Sequence, residues 1–181
     1  IKDYLKPSKS LLLLSDEANK IKIKNMDLSK FVIIHFATHG ELAGSIKGQN
    51  EPFLVLSPPN SGTIENDGIL TMSEIMNLDN NAALVILSAC NTAGEDIKRS
   101  EGFSGLARAF LYSGSKSVLV SNWIVETYAA KELTTGLIKK MKNNSNISTA
   151  NALSGSMKNF ILNNKDKSHP FFWAPFVIVG I

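Results

Sequence analysis

Two apolar runs that stop abruptly constrain this chain more than anything else in it. One is Phe31-Val32-Ile33-Ile34-His35-Phe36-Ala37-Thr38-His39-Gly40; the other is Val85-Ile86-Leu87-Ser88-Ala89-Cys90-Asn91-Thr92. Short apolar runs bounded by polar segments read as buried strands. The first ends on a His-Gly pair and the second on the only cysteine of the chain. Most free cysteines are small buried hydrophobes. A cysteine held where a strand gives way to a loop can instead be a nucleophile. The His-terminated run tilts the balance: two core strands, one ending in His and one in Cys, can bring a base and a thiol to one edge of a sheet.

The remaining periodicities supply the frame. Leu11–Leu14 reads as an edge strand, and Ser15 or Asp16 as the cap of a short helix through Ala18, Ile21 and Ile23. Strands are expected at 31–37, 53–56, 69–71, 83–89, 118–120 and 176–179, with 53–71 forming a hairpin that has an irregular tip. Helices are expected from Ser73 through Leu78, over Phe103–Leu111 with a stop at Ser113-Gly114, from Thr127 to about Met141, and from Thr149 to about Leu162. Segments 41–51 and 91–101 read as polar loops. Strands alternating with helices imply an α/β fold, a mostly parallel central sheet with helices on both faces. Ligands in such sheets sit outside the carboxyl ends of the strands. His39, Cys90 and Ser121-Asn122-Trp123 all fall at expected carboxyl ends.

Composition limits the function classes. A chain of 181 residues is long enough for one domain with a substantial core, so 1–181 is expected to be a single domain. A net charge of +3 gives no reason to expect nucleic acid as a partner. A single cysteine excludes an internal disulfide framework and fits a reducing cytoplasm. The apolar run Leu11–Leu14 is far short of a signal sequence or a membrane span, so no membrane partner is expected. The chain opens on Ile1 rather than Met, and a preceding region is expected.

Taken together, these residues resemble the CHAT domain family, a branch of the caspase-like cysteine peptidases with separase among its relatives. The resemblance covers about residues 15–181. It rests on His35-Phe36-Ala37-Thr38-His39-Gly40, on Leu87-Ser88-Ala89-Cys90-Asn91-Thr92, and on Glu101-Gly102 followed by Leu106, Ala107 and Phe110. Gly114 followed by Val118, then Trp123 and Val125, and the ending Pro170-Phe171-Phe172-Trp173-Ala174-Pro175-Phe176 through Gly180 complete it. The resemblance implies a caspase-like three-layer α/β/α sandwich, a catalytic dyad of His39 and Cys90, and an oxyanion hole from the N–H groups of Gly40 and Cys90. It also implies substrate contacts from the segment holding Ser121, Asn122, Trp123, Glu126 and Thr127. CHAT domains commonly end longer chains, which implies a tetratricopeptide-like or other sensor region ahead of this one.

The chemistry such residues can do is specific. A thiolate attacks a scissile carbonyl to form a thioester, and a nearby imidazolium or helix N-terminus lowers the thiol pKa. A histidine can protonate the departing amine. Glycine at position 40 lets backbone approach a substrate closely. No cofactor is called for. His35 and His39 are four apart, which on a helix would suggest a metal pair, but Val32, Ile33 and Ile34 argue for a strand instead, so no metal is expected. His35 lies inside the apolar run and reads as a packed, hydrogen-bonded core residue. His169, before Pro170, reads as a loop residue, and Trp123 and Trp173 as core residues, Trp123 also as a wall of the substrate crevice. Relatives carry an acidic pair after the W-x-V pattern. Here Glu126 is followed by Thr127, so a strict preference for a basic residue before the cut loses its support; Thr127 can equally be a helix N-cap and Glu126 a solvated side chain.

Two function classes follow. One is a cysteine endopeptidase acting on a protein substrate. The other is an idle caspase-like interaction module. A thiol amidase or acyl transferase acting on small molecules has no phosphate or cofactor motif in its favour. His39 together with Cys90 favours the enzyme.

Overall fold

The computed structural model describes residues 10–58, 66–88 and 97–181, with side chains for all of these except 97–104. The chain divides into two compact units. One comprises Leu13–Ile124 with Val179–Ile181; the described part of the other is 10–12 with Val125–Ile178.

The first unit holds β1 (Ile33–Phe36), β5 (Leu84–Leu87), β6 (Ser117–Ser121) and the end of β7 (Phe176–Gly180), which neighbour one another in that order in the central sheet. Strands β1 and β5 run parallel in a register from Ile33↔Leu84 to Phe36↔Leu87. Strand β6 runs parallel to β5, with Val85 opposite Val118 and Ile86 opposite Leu119. The edge strand β7 ends beside the start of β6: the Ile181 N–H donates to the Lys116 carbonyl at 3.1 Å. The protein is thus a mixed α/β fold with a mostly parallel central sheet, consistent with the caspase-like expectation. The runs Leu84–Leu87 of β5 and 118–120 of β6 are apolar without alternation because both faces of these strands are buried. Phe36, Val85, Leu87, Val118 and Val120 join the main core with Ile75 of α2 (Met72–Met76) and Leu106, Ala107 and Phe110 of α3 (Ile97–Tyr112). Leu84, Ile86 and Leu119, which point the other way, are at most 1% exposed. The Phe36 and Phe110 rings pack with centroids 5.3 Å apart.

The expected hairpin is present. Strands β3 (Phe53–Val55) and β4 (Ile69–Thr71) pair antiparallel from Phe53↔Thr71 to Val55↔Ile69. A short strand not expected from the sequence, β2 (Gly40–Glu41), adds to β3 with Gly40 opposite Leu54 and Glu41 opposite Phe53.

A buried cation ties this sheet to the start of the unit. Lys20 opens α1 (Lys20–Lys24), and its side chain is 4% exposed. Its Nζ lies 2.8 Å from Asp67 Oδ1 and 3.0 Å from Glu74 Oε1. Glu74 also closes a capping box on α2, accepting from the Thr71 N–H at 3.1 Å. Burial alone would lower the Lys20 pKa, but hydrogen bonds to Asp67 and Glu74 outweigh it and the pKa is raised. Burial would likewise raise Asp67 and Glu74; Lys20 and backbone N–H groups hold both below the usual carboxylate range.

Several sequence expectations are corrected. Leu11–Leu14 forms no strand, and Leu11, Leu12 and Leu14 are exposed. The helix expected to be capped by Ser15 or Asp16 is a 3-10 turn, Ser15–Glu17, and the α-helix begins later, capped by Asn19, whose side chain accepts from the Lys22 N–H at 2.9 Å. Helix α3 starts at Ile97, inside the expected loop 91–101, whose residues 91–96 lie outside the described residues. Its stop at Gly114 is as expected and sterically enforced: φ is +112°, and a Cβ there would sit 2.0 Å from the Asn80 carbonyl oxygen. Asn80 beside it is buried and donates to the Ser113 carbonyl and hydroxyl.

The second unit holds α4 (Thr127–Asn143), α5 (Thr149–Asn163) and the short α6 (Pro170–Trp173). Helices α4 and α5 meet closely where Ser156 faces Gly136; a Cβ at 136 would lie 2.2 Å from the Ser156 hydroxyl. Helix α6 was not expected. His169, expected as a loop residue, is its N-cap and accepts from the Phe171 N–H through Nδ1 at 3.2 Å, while Pro170 at the first turn needs no donor.

Candidate active site

His39 lies between β1 and β2 with its side chain exposed. Its backbone is held from the second sheet. The Val55 N–H donates to the His39 carbonyl at 2.8 Å, and the Thr38 hydroxyl donates to the Val55 carbonyl. Gly40 follows, buried, as the first residue of β2.

Cys90 lies outside the described residues. The strand leading to it is described as far as Ser88, whose N–H donates to the Phe36 carbonyl at 3.0 Å. Phe36 stands opposite Leu87 in the parallel register. Counted from that pair, His39 and Cys90 are each three residues further along the chain.

His35 has a different environment from His39. It is partly buried, and its Nε2 lies 2.7 Å from the Ser88 hydroxyl. Loss of hydration pushes its pKa down to about 4, so the ring is neutral near pH 7. The hydrogen bond expected of a core histidine is present, although burial is partial because β1 is the edge of its sheet.

The remaining candidates divide between the two units. Ser121 ends β6 and is buried, Asn122 is exposed, and Trp123 is partly buried; all belong to the unit that holds His39. Glu126 and Thr127 belong to the other unit. The helix cap there is Glu126, not Thr127: its Oε2 accepts from the Ala129 N–H at 3.1 Å, and Thr127 is the first helical residue. The Glu126 carboxylate also lies 3.9 Å from Lys167 Nζ. Its backbone is extended, with φ −62° and ψ 135°, which turns the side chain back over the first helical turn. Among the described residues, no group of three or more His, Asp or Glu side chains converges as metal ligands, and no helix is long and apolar enough to cross a membrane.

Sequence reading missed the supports of His39. Thr38 stood inside the motif without a role, and Val55 belongs to a strand far along the chain that carries no chemical signal. Only the pairing of β2 with β3 brings the two together.

Comparison with known proteins gives two relatives. Tetratricopeptide repeat protein 28 of Mus musculus and that of Homo sapiens are each 26% identical to this chain over 183 residues. The match takes in 84% of this chain but only 7% of the length of either relative. The family model for the CHAT domain matches residues 1–181. This chain therefore belongs to the CHAT domain family, a caspase-like group related to peptidases.

Proposed function

We propose that the protein is a cysteine endopeptidase that cleaves a protein substrate through His39 and Cys90. The observation that carries the reading is the β1–β5 register, from whose last pair, Phe36↔Leu87, both residues are an equal count onward. Parallel strands in register deliver such residues to the same sheet edge, where ligands of α/β folds bind. The Cys90 thiolate adds to the scissile carbonyl, and the oxyanion is stabilised by the N–H groups of Gly40 and Cys90. Collapse expels the amine, which takes a proton from His39 and leaves a thioester. Water, deprotonated by His39, then releases the acid and restores the thiol. Ser121, Asn122 and Trp123 line the substrate path, with Glu126 and Thr127 further along the chain. No cofactor takes part. A protein of this kind works in the cytoplasm, as a single domain in the C-terminal part of a longer chain whose tetratricopeptide-like region governs it; the repeat-protein names of the two relatives support that layout.

The alternative is an interaction module with an idle dyad. It is favoured by one observation: the relatives' names describe repeats and no peptidase. An activity-based thiol probe separates the two. Labelling of the native protein should vanish in Cys90→Ala and fall at least tenfold in His39→Ala, and a peptide library should be cut by the native protein but not by Cys90→Ala. Labelling that is indifferent to His39, with no peptide cut, would leave the module reading standing.

A further inference from the structure

We propose that Thr38 is a positioning residue, whose hydroxyl fixes where His39 presents its imidazole. The proposal rests on the cysteine peptidase reading above for its consequence, but its geometry stands apart from it.

His39 cannot be held by packing, because its side chain is exposed. Its backbone must be held instead. Strands β2 and β3 pair as far as Gly40↔Leu54, and the next pair outward would be His39 opposite Val55. A closely hydrogen-bonded antiparallel pair exchanges two backbone bonds, each residue donating to the other's carbonyl. Here one is made: the Val55 N–H donates to the His39 carbonyl at 2.8 Å. The acceptor that the second would use, the Val55 carbonyl, is taken by the Thr38 hydroxyl. The side chain of the preceding residue thus replaces the His39 N–H in the ladder. The chain can then leave the strand direction at 38–39 while staying tied to Val55 on both sides of the turn.

The tie has a firm base. Val55 is paired on its other side with Ile69 of β4, and the next backbone bond beyond it, from the Leu56 N–H to the Gly68 carbonyl, is 2.7 Å. Asp67, the neighbour of Gly68, is held by Lys20 at 2.8 Å. Leu54 and Leu70 beneath are fully buried. The clamp therefore transmits the rigidity of the β3–β4 hairpin to a residue that has no packing of its own. A general acid must stay within hydrogen-bond reach of its proton's destination, and misplacement by about 1 Å can cost about a hundredfold in rate.

The test compares Thr38→Val, which keeps the shape and loses the hydroxyl, with Thr38→Ser, which keeps the hydroxyl. Backbone 15N relaxation on the native protein should show residues 38–40 as ordered as β3, and the Val55 amide should be protected from hydrogen exchange. Thr38→Val should lose that order and protection while its thermal melt stays cooperative; Thr38→Ser should keep both. In turnover, Thr38→Val should lower kcat about tenfold to a hundredfold with KM within about twofold, and Thr38→Ser should restore it. Native-like order and turnover in Thr38→Val would overturn the proposal. So would an unprotected Val55 amide in the native protein, a result that needs no variant to fold. If the native protein cuts nothing but the relaxation and exchange results hold, the clamp stands and the peptidase reading falls.

Discussion

The two histidines of one motif are set apart by burial. His39 is exposed, so His39→Ala should remove activity and leave the melt almost unchanged. His35 shares a hydrogen bond with Ser88, and His35→Ala should cost about 1–3 kcal/mol of stability. The pH dependence of stability separates them further. The His35 pKa is pushed down from 6.5 to about 4 in the folded protein. As pH falls between those values the unfolded chain takes up a proton that the folded one refuses, so stability is lost on acidification, on the order of 3 kcal/mol by the lower end. Urea unfolding at a series of pH values should show a steeper loss for the native protein than for His35→Phe across this window. Equal slopes would mean that His35 takes up its proton in the folded state.

Among the elements, the β3–β4 hairpin does most to build the candidate site, and the Lys20, Asp67 and Glu74 triad fastens it to α1 and α2. Lys20→Met keeps the volume but takes the buried cation from Asp67 and leaves Glu74 with only the exposed Lys24, whose Nζ lies 3.2 Å from Glu74 Oε1. Breaking a buried pair costs several kcal/mol; Asp67 and Glu74 have side chains 41% and 23% exposed, so water relieves part of it and about 2 kcal/mol is expected. The Lys20 pKa is raised, so its contribution is present below its unfolded value and is lost only as pH rises through the folded one. Those of Asp67 and Glu74 are lowered, so their contribution is present above their unfolded values and is lost as pH falls through the folded ones. The cost of Lys20→Met should therefore be flat between roughly pH 5 and pH 10, in contrast to His35. Equilibrium unfolding at three pH values inside the window checks this, and a cost that varied by half across it would contradict the assigned pairing.

At the scale of the whole molecule the question is what sets the activity of the domain. Polar, glycine-bearing sequence after both proposed dyad residues leads to the expectation of mobile walls and of slow turnover until another region orders them. The loop after His39 is better anchored than its composition implies. The Gly44 N–H donates to the Gln49 carbonyl at 2.7 Å, the Ser45 N–H to the Leu42 carbonyl at 3.2 Å, and Leu42 packs on the main core. On the proposed layout, turnover by this chain alone should be at least tenfold below that of a longer polypeptide carrying the proposed repeat region, with the difference in kcat. Equal rates would remove the ordering step.

The sequence by itself determined the sheet and its edge. Apolar runs such as 84–87 and 118–120 are strands in any arrangement that buries both faces, and Gly114 ends a helix because no side chain fits there. It also marked His39 and Cys90, since a histidine and a lone cysteine at the ends of such runs are visible without a fold. Tertiary structure alone decided what holds His39, because Thr38, Val55, Asp67 and Lys20 meet only through pairings between distant segments. It decided that Glu126 rather than Thr127 caps α4, which depends on the residue at which the backbone turns into the helix. It decided the state of His35 as well: the same side chain titrates near neutrality in water and near 4 on a strand that withholds water from it.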